Sequence, residues 1–146
     1  MEASMLDTVR GIIRGEIPPP PIATLIGFTI TAIEPGRAVC EMEAGERHTN
    51  PMGTMHGGVL CDLTDAAMGM AYASTLAAGE SFTTLELKIN FLRPVWQGKL
   101  RAEGRVVNGG RTVGLLEADV FDDQGRLVAR ASSTVLTLRG QAAAGR

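Results

Sequence analysis

Residues 57 to 78 constrain the fold more than any other stretch, because they read as one long helix that is apolar almost all the way round. Val59, Leu60, Leu63, Ala66, Ala67, Met70, Ser74 and Ala77 recur at the i, i+3, i+4 spacing of one helical face. The opposite side carries Cys61, Met68, Gly69 and Tyr72, and among them Asp65. A helix with two apolar sides belongs inside a protein, so the rest of the chain has to wrap around it.

The two carboxylates of this helix need separate accounts. Asp62 sits near the first turn, where the positive end of the helix dipole stabilises an anion by about 0.3–1 kcal/mol. Asp65 lies a turn further in, and no Lys or Arg occurs between Arg47 and Lys88 to pair with it locally. A desolvated carboxylate is costly, so Asp65 is paired from elsewhere, protonated, or lining a cavity.

Around the helix the pattern changes to period two. Strands are expected over 25–33 and 37–43, joined by the turn Glu34-Pro35-Gly36. After the helix, Leu85, Leu87, Ile89 and Phe91 alternate with Thr84, Glu86, Lys88 and Asn90 until Pro94 stops the ladder. Further strands follow over 100–107, 112–121 and 127–138, with hairpin turns at 108–111 and 122–125. The predicted fold is α+β: a mostly antiparallel sheet of about six strands wrapped around one central apolar helix. Its uncovered edge or face predicts a second chain.

The ends are set apart. Residues 3–14 form a short amphipathic helix, Pro18 to Pro21 an extended spacer, and 140–146 a small polar tail. The expected organisation is an N-terminal helix and spacer over 1–22, one domain over 23–138, and a flexible tail over 139–146. A chain of 146 residues suits one such domain.

Composition excludes several classes. A net charge of −2 with interspersed signs leaves no footprint for nucleic acid. The N-terminus lacks a continuous apolar leader, and two Asp residues with many Ala and Gly disqualify 57–78 as a membrane span, so a cytoplasmic protein is expected. Cys40 and Cys61 read as reduced core thiols. His48 and His56, the two histidines, have no third ligand in view and make no zinc site, and His48 reads as a solvated loop residue. Neither a serine-hydrolase elbow nor a phosphate-binding loop is present.

Three segments carry a family resemblance. The first runs from Asn50 to Ala67, with His56, Gly57 and Gly58 opening the helix and Asp65 eight residues after Gly57. The second runs from Thr83 to Pro94 and the third from Gly125 to Thr134. Together they resemble the hotdog-fold acyl-CoA thioesterases of the phenylacetate-pathway (PaaI-like) type, over about residues 23 to 138.

The resemblance implies subunits pairing edge to edge, dimers pairing into tetramers, and active sites shared across the dimer. Asp65 matches the catalytic acid, as general base or nucleophile, and Gly57 the residue whose backbone N–H polarises the thioester carbonyl. Asn50 and His56 match polar residues of the same loop, and Thr84 the residue that holds the attacking water. Asn50 and His56 have alternative readings as a turn former and a helix cap. Gly58, Arg93 and Arg111 are further candidates for contact with the substrate or its coenzyme A. No metal and no cofactor beyond the substrate's own coenzyme A are implied. A non-catalytic acyl-CoA binding module on the same scaffold is the alternative. The acyl group is left open, depending on which of Leu60, Leu63, Met68, Tyr72, Phe82 and Leu92 face the pocket.

Overall fold

A computed structural model describes residues 3–146. Helix α1 (Met5–Ile13) is capped by Ser4, whose hydroxyl oxygen accepts the Asp7 N–H. The proline run does not stay extended to its end, since Pro21 opens a second short helix, α2 (Pro21–Ile26). Proline suits a first helical position, where its fixed φ fits and its missing N–H costs nothing. Gly27, at φ +91°, ends α2 in the left-handed region. The strand expected from residue 25 therefore begins at Phe28.

Six strands follow the order β1 (Phe28–Glu34), β2 (Arg37–Ala44), β4 (Gly98–Gly109), β5 (Val113–Phe121), β6 (Leu127–Leu138), β3 (Ser81–Phe91) across one sheet. Every pairing is antiparallel. The central helix α3 (Gly57–Ala73) lies against the sheet, chiefly on β4 and β2. Gly104 of β4 makes that approach possible, because a Cβ there would overlap the Ala67 carbonyl of the helix.

The buried side of α3 is Leu60, Leu63, Thr64, Ala67, Met68, Ala71 and Tyr72. This differs from the expected stripe. Met68 and Tyr72 point into the core, whereas Val59, Ala66 and Met70 are only partly covered. With apolar residues on both sides, the pattern favours no single rotation, and contact with the sheet decides it.

Helix α3 also ends earlier than expected, at Ala73. The Ser74 hydroxyl donates to the Ala71 carbonyl at 2.6 Å and accepts the Gly36 N–H at 2.8 Å, so this end is tied to the β1–β2 turn. Residues 140–143 form a short 3-10 helix within the expected tail.

Two features of β3 matter for the site. It is an edge strand, paired on one side by β6 alone. It also carries a bulge between Thr84 and Glu86. Thr84 pairs with Val135, Leu87 with Ser133 and Ile89 with Ala131, and all three partners are buried. Simple alternation puts Thr84 and Leu87 on opposite faces. The bulge inverts the phase and turns Thr84 toward the helix, leaving Leu85 outside the ladder and exposed.

Candidate active site

The loop from β2 into α3 is a folded structure in itself. Asn50 closes it: its Nδ2 donates to Thr54 Oγ1 at 2.8 Å, its Oδ1 accepts the Met52 N–H at 2.9 Å, and its backbone N–H donates to Thr54 O at 2.7 Å. The turn-forming role is thus observed, and Asn50 also lines a cleft beside Gly57 and Arg93.

His48 is buried, not solvated. Its Nδ1 accepts the Gly45 N–H at 3.0 Å, which leaves Nε2–H to donate to the Ile26 carbonyl at 2.7 Å. Its own carbonyl accepts the His56 N–H. One residue therefore joins the end of α2, through its ring, to the start of α3, through its carbonyl.

His56 is the N-cap of α3, and its Nδ1 accepts the Gly58 N–H at 2.9 Å. The Gly57 N–H, one residue earlier, has no acceptor among the described residues. An unpaired N–H at the positive end of a 17-residue helix is suited to an oxygen carrying negative charge. Gly57 lines a cleft of about 360 Å³ together with Asn50, Leu60, Phe91, Leu92 and Arg93, among others. Arg111 lies at the β4–β5 turn and lines neither this cleft nor the next.

Asp65 opens on a second cleft, of about 330 Å³. It is not enclosed in the core, because its side of α3 is the one the sheet leaves uncovered. Thr84, brought round by the bulge, donates to Asp65 Oδ1 at 3.2 Å. No Lys or Arg lines the cleft, and its other walls include Phe28, Ile30, Met70 and Phe82. Removal of water by these apolar neighbours pushes the Asp65 carboxyl above the ordinary Asp value; the Thr84 hydrogen bond opposes this and the Asp62 charge adds to it.

Asp62 also lines this cleft, and its carboxyl is raised by desolvation. It is the sixth residue of α3, past the first turn, so the helix dipole does not account for it. Cys61, beside the two carboxylates, is half-buried, and its thiol is pushed up by burial and then by their charges, which makes it a poor nucleophile.

Of the six residues offered as pocket walls, Phe82 lines the Asp65 cleft, and Leu60 and Leu92 line the Gly57 cleft. Leu63, Met68 and Tyr72 are core. Sequence reasoning missed Phe28, Ile30, Pro20 and Ile22, all of which line the Asp65 cleft. No periodic signal connects them to Asp65, since the curl of the open sheet brings β1 and the segment ahead of it there.

Gly57 and Asp65 do not meet within one chain. Eight residues of α-helix rise about 12 Å, too far for one carbonyl to touch both groups. The bare helix start and the Asp65 carboxyl open on separate clefts.

A single apolar helix held in a six-stranded antiparallel sheet of this order is the hotdog fold. The chain belongs to the thioesterase superfamily, whose family model matches residues 52–129. It is 28% identical to human acyl-coenzyme A thioesterase 13 over 134 residues, 90% of this chain and 95% of the relative. It is 33% identical to the proofreading thioesterase EntH of Klebsiella pneumoniae, over 69% of this chain and 74% of that one. The solved structure of Escherichia coli PaaI, from the phenylacetic acid degradation operon, matches with a TM-score of 0.81 at 25% identity, covering 94% of this chain and 98% of the other. The protein is a thioester hydrolase. Among the described residues no helix is long and apolar enough to cross a membrane, and no three His, Cys, Asp or Glu side chains converge as metal ligands would.

Proposed function

We propose that the protein hydrolyses acyl-CoA thioesters to free acid and coenzyme A, with Asp65 of one subunit facing Gly57 of a second. The observation that carries this reading is the Thr84–Asp65 hydrogen bond in an apolar cleft without a cation. A carboxylate placed there for an ion pair would have a cation beside it. This one has only a hydroxyl that fixes its orientation.

In the general-base route, Asp65 takes a proton from water while the water oxygen attacks the carbonyl carbon. The Gly57 N–H stabilises the resulting oxyanion. Collapse expels the coenzyme A thiolate, which then takes up a proton. In the nucleophilic route, Asp65 itself attacks and expels the thiolate, and water then hydrolyses the anhydride. A thiolate is a good leaving group, so neither route asks for a strong acid, a metal or an organic cofactor. Thr84 and His56 are positioning residues: Thr84 orients the carboxylate, and His56 takes up the Gly58 N–H and so directs the helix start.

The helical rise of about 12 Å from Gly57 to Asp65, with the unpaired β3 edge, supports a dimer in which each cleft is completed by the other chain. Thiol release over a panel of short, medium, long and aryl acyl-CoAs tests the chemistry, and no turnover by folded protein on any of them would refute it. Mixing tests the sharing. Two inactive variants, Asp65→Asn and Gly57→Val, should regain activity when unfolded and refolded together, because one of the two sites in a mixed dimer is then intact.

A further inference from the structure

The N-terminal proline segment, which the sequence presents as a spacer outside the domain, forms one side of the Asp65 cleft. Pro20 and Ile22 line it together with Met70 and Phe82. Behind the same wall lies a second, mostly apolar cleft of about 390 Å³, reaching Ile12, Ile13 and Pro19. Pro20, Phe28 and Ile30 line both clefts, so Pro20 is the N-terminal segment's part of the partition between them.

The segment is held in place. Ala23 is buried against the domain, Gly27 terminates α2, and the buried His48 donates to the Ile26 carbonyl. Pro20 and Pro21 have their φ angles fixed by their rings, which leaves the wall little freedom to move. Ile22 itself is 48% exposed, so what its side chain contributes is shape at the cleft and not core packing.

We infer that Pro20 and Ile22 set the size of the acyl group this enzyme accepts, admitting compact alkyl or aryl acyl groups and stopping longer chains at the wall. The inference rests on the acyl-CoA reading above. Coenzyme A is too polar and too large for an apolar cleft of about 330 Å³, so with the thioester at Asp65 it is the acyl group that enters. Such a cleft gains affinity for each methylene it covers and gains nothing from carbons it cannot admit.

The test uses binding, so that it does not depend on turnover. S-alkyl-CoA thioethers have no carbonyl to hydrolyse, and calorimetry on a series from two to sixteen carbons should show affinity rising by roughly fourfold per methylene, then levelling. Ile22→Ala and Pro20→Ala should move the levelling point to longer chains, and Ile22→Trp should move it to shorter ones. Thermal melts confirm that the variants are folded. An unchanged levelling point in Ile22→Ala and Ile22→Trp overturns the inference, as does failure of every thioether to bind. A protein that binds the series with these shifts but hydrolyses no acyl-CoA leaves the wall standing and removes the hydrolytic reading. Turnover with one chain-length profile in all variants does the reverse.

Discussion

A Cβ added to Gly57 would lie 2.7 Å from Cζ of Phe91, so the start of α3 and the end of β3 are in contact through a position that has no room for a side chain. The ring of Phe91 is exposed and free to turn away, which means that Gly57→Ala should leave the fold intact. The added methyl and the displaced ring would crowd the cleft that Gly57 lines. Turnover is expected to fall, by at most the roughly 10²–10³-fold that loss of such a donor costs, as the crowding keeps the carbonyl off the N–H, with a thermal midpoint within a few degrees of the parent. Phe91→Ala in the same chain should restore part of the loss. Equal turnover in Gly57→Ala and the parent would take this N–H out of the mechanism.

Asp65→Asn keeps the shape and the hydrogen-bonding capacity of the side chain but removes both base and nucleophile. Turnover should drop by roughly 10²–10⁴-fold. Stability should move the other way. A carboxyl whose folded pKa lies above its unfolded one disfavours folding once ionised, and the penalty is fully present above the raised value and absent below the unfolded value. At pH 7 the variant should therefore melt at or above the parent temperature, and the difference should vanish near pH 4 and below. A lower melting point at pH 7 would show that the carboxylate is structural.

Opposite shifts are expected from the two neighbours of Asp65. Activity needs the ionised carboxylate, so it declines as pH falls through the raised pKa. Thr84→Val removes a hydrogen bond that favours the ionised form and should shift the acid limb of the pH–rate profile upward. Asp62→Asn removes a nearby negative charge and should shift it downward. Profiles of kcat/KM from pH 4 to 9 on both variants check the signs. Movement of both limbs in the same direction would contradict the arrangement.

His48→Ala would leave the Gly45 N–H without its acceptor and the Ile26 carbonyl with only the Arg47 guanidinium, at 3.4 Å, both in half-buried positions. An unsatisfied group costs about 1–3 kcal/mol, so a loss of that order is expected, read as a lower urea midpoint. Because Ile26 ends the segment that walls the acyl cleft, substrate preference should broaden in the same variant. A stability loss without that broadening would confine His48 to the fold.

The sheet and its hairpins were legible because alternation and turn residues act locally, and Asp65 stood out because no cation lies near it in the chain. The rotation of α3 was not legible, since apolar residues on both of its sides leave the direction to tertiary contact. The orientation of Thr84 was hidden for a sharper reason. It depends on a bulge at Leu85, and a one-residue slip in pairing register leaves no mark in the pattern of a single strand. Asp62 was misassigned because its place relative to the helix start looked sufficient to explain it. The part of Pro20 and Ile22 in the cleft follows from where the curled sheet carries β1, a long-range relation that no local pattern records.

The distance along α3 from Gly57 to Asp65 also has a genetic meaning. In a shared-site dimer, a chain damaged only at Asp65 spoils one of two sites and leaves its wild-type partner half productive. A chain damaged at both positions disables both sites of any dimer it enters. Co-expressed in equal amount with the parent, such a chain would leave only about a quarter of random dimers active, so a double lesion would act as a dominant inhibitor where either single lesion is merely a partial loss.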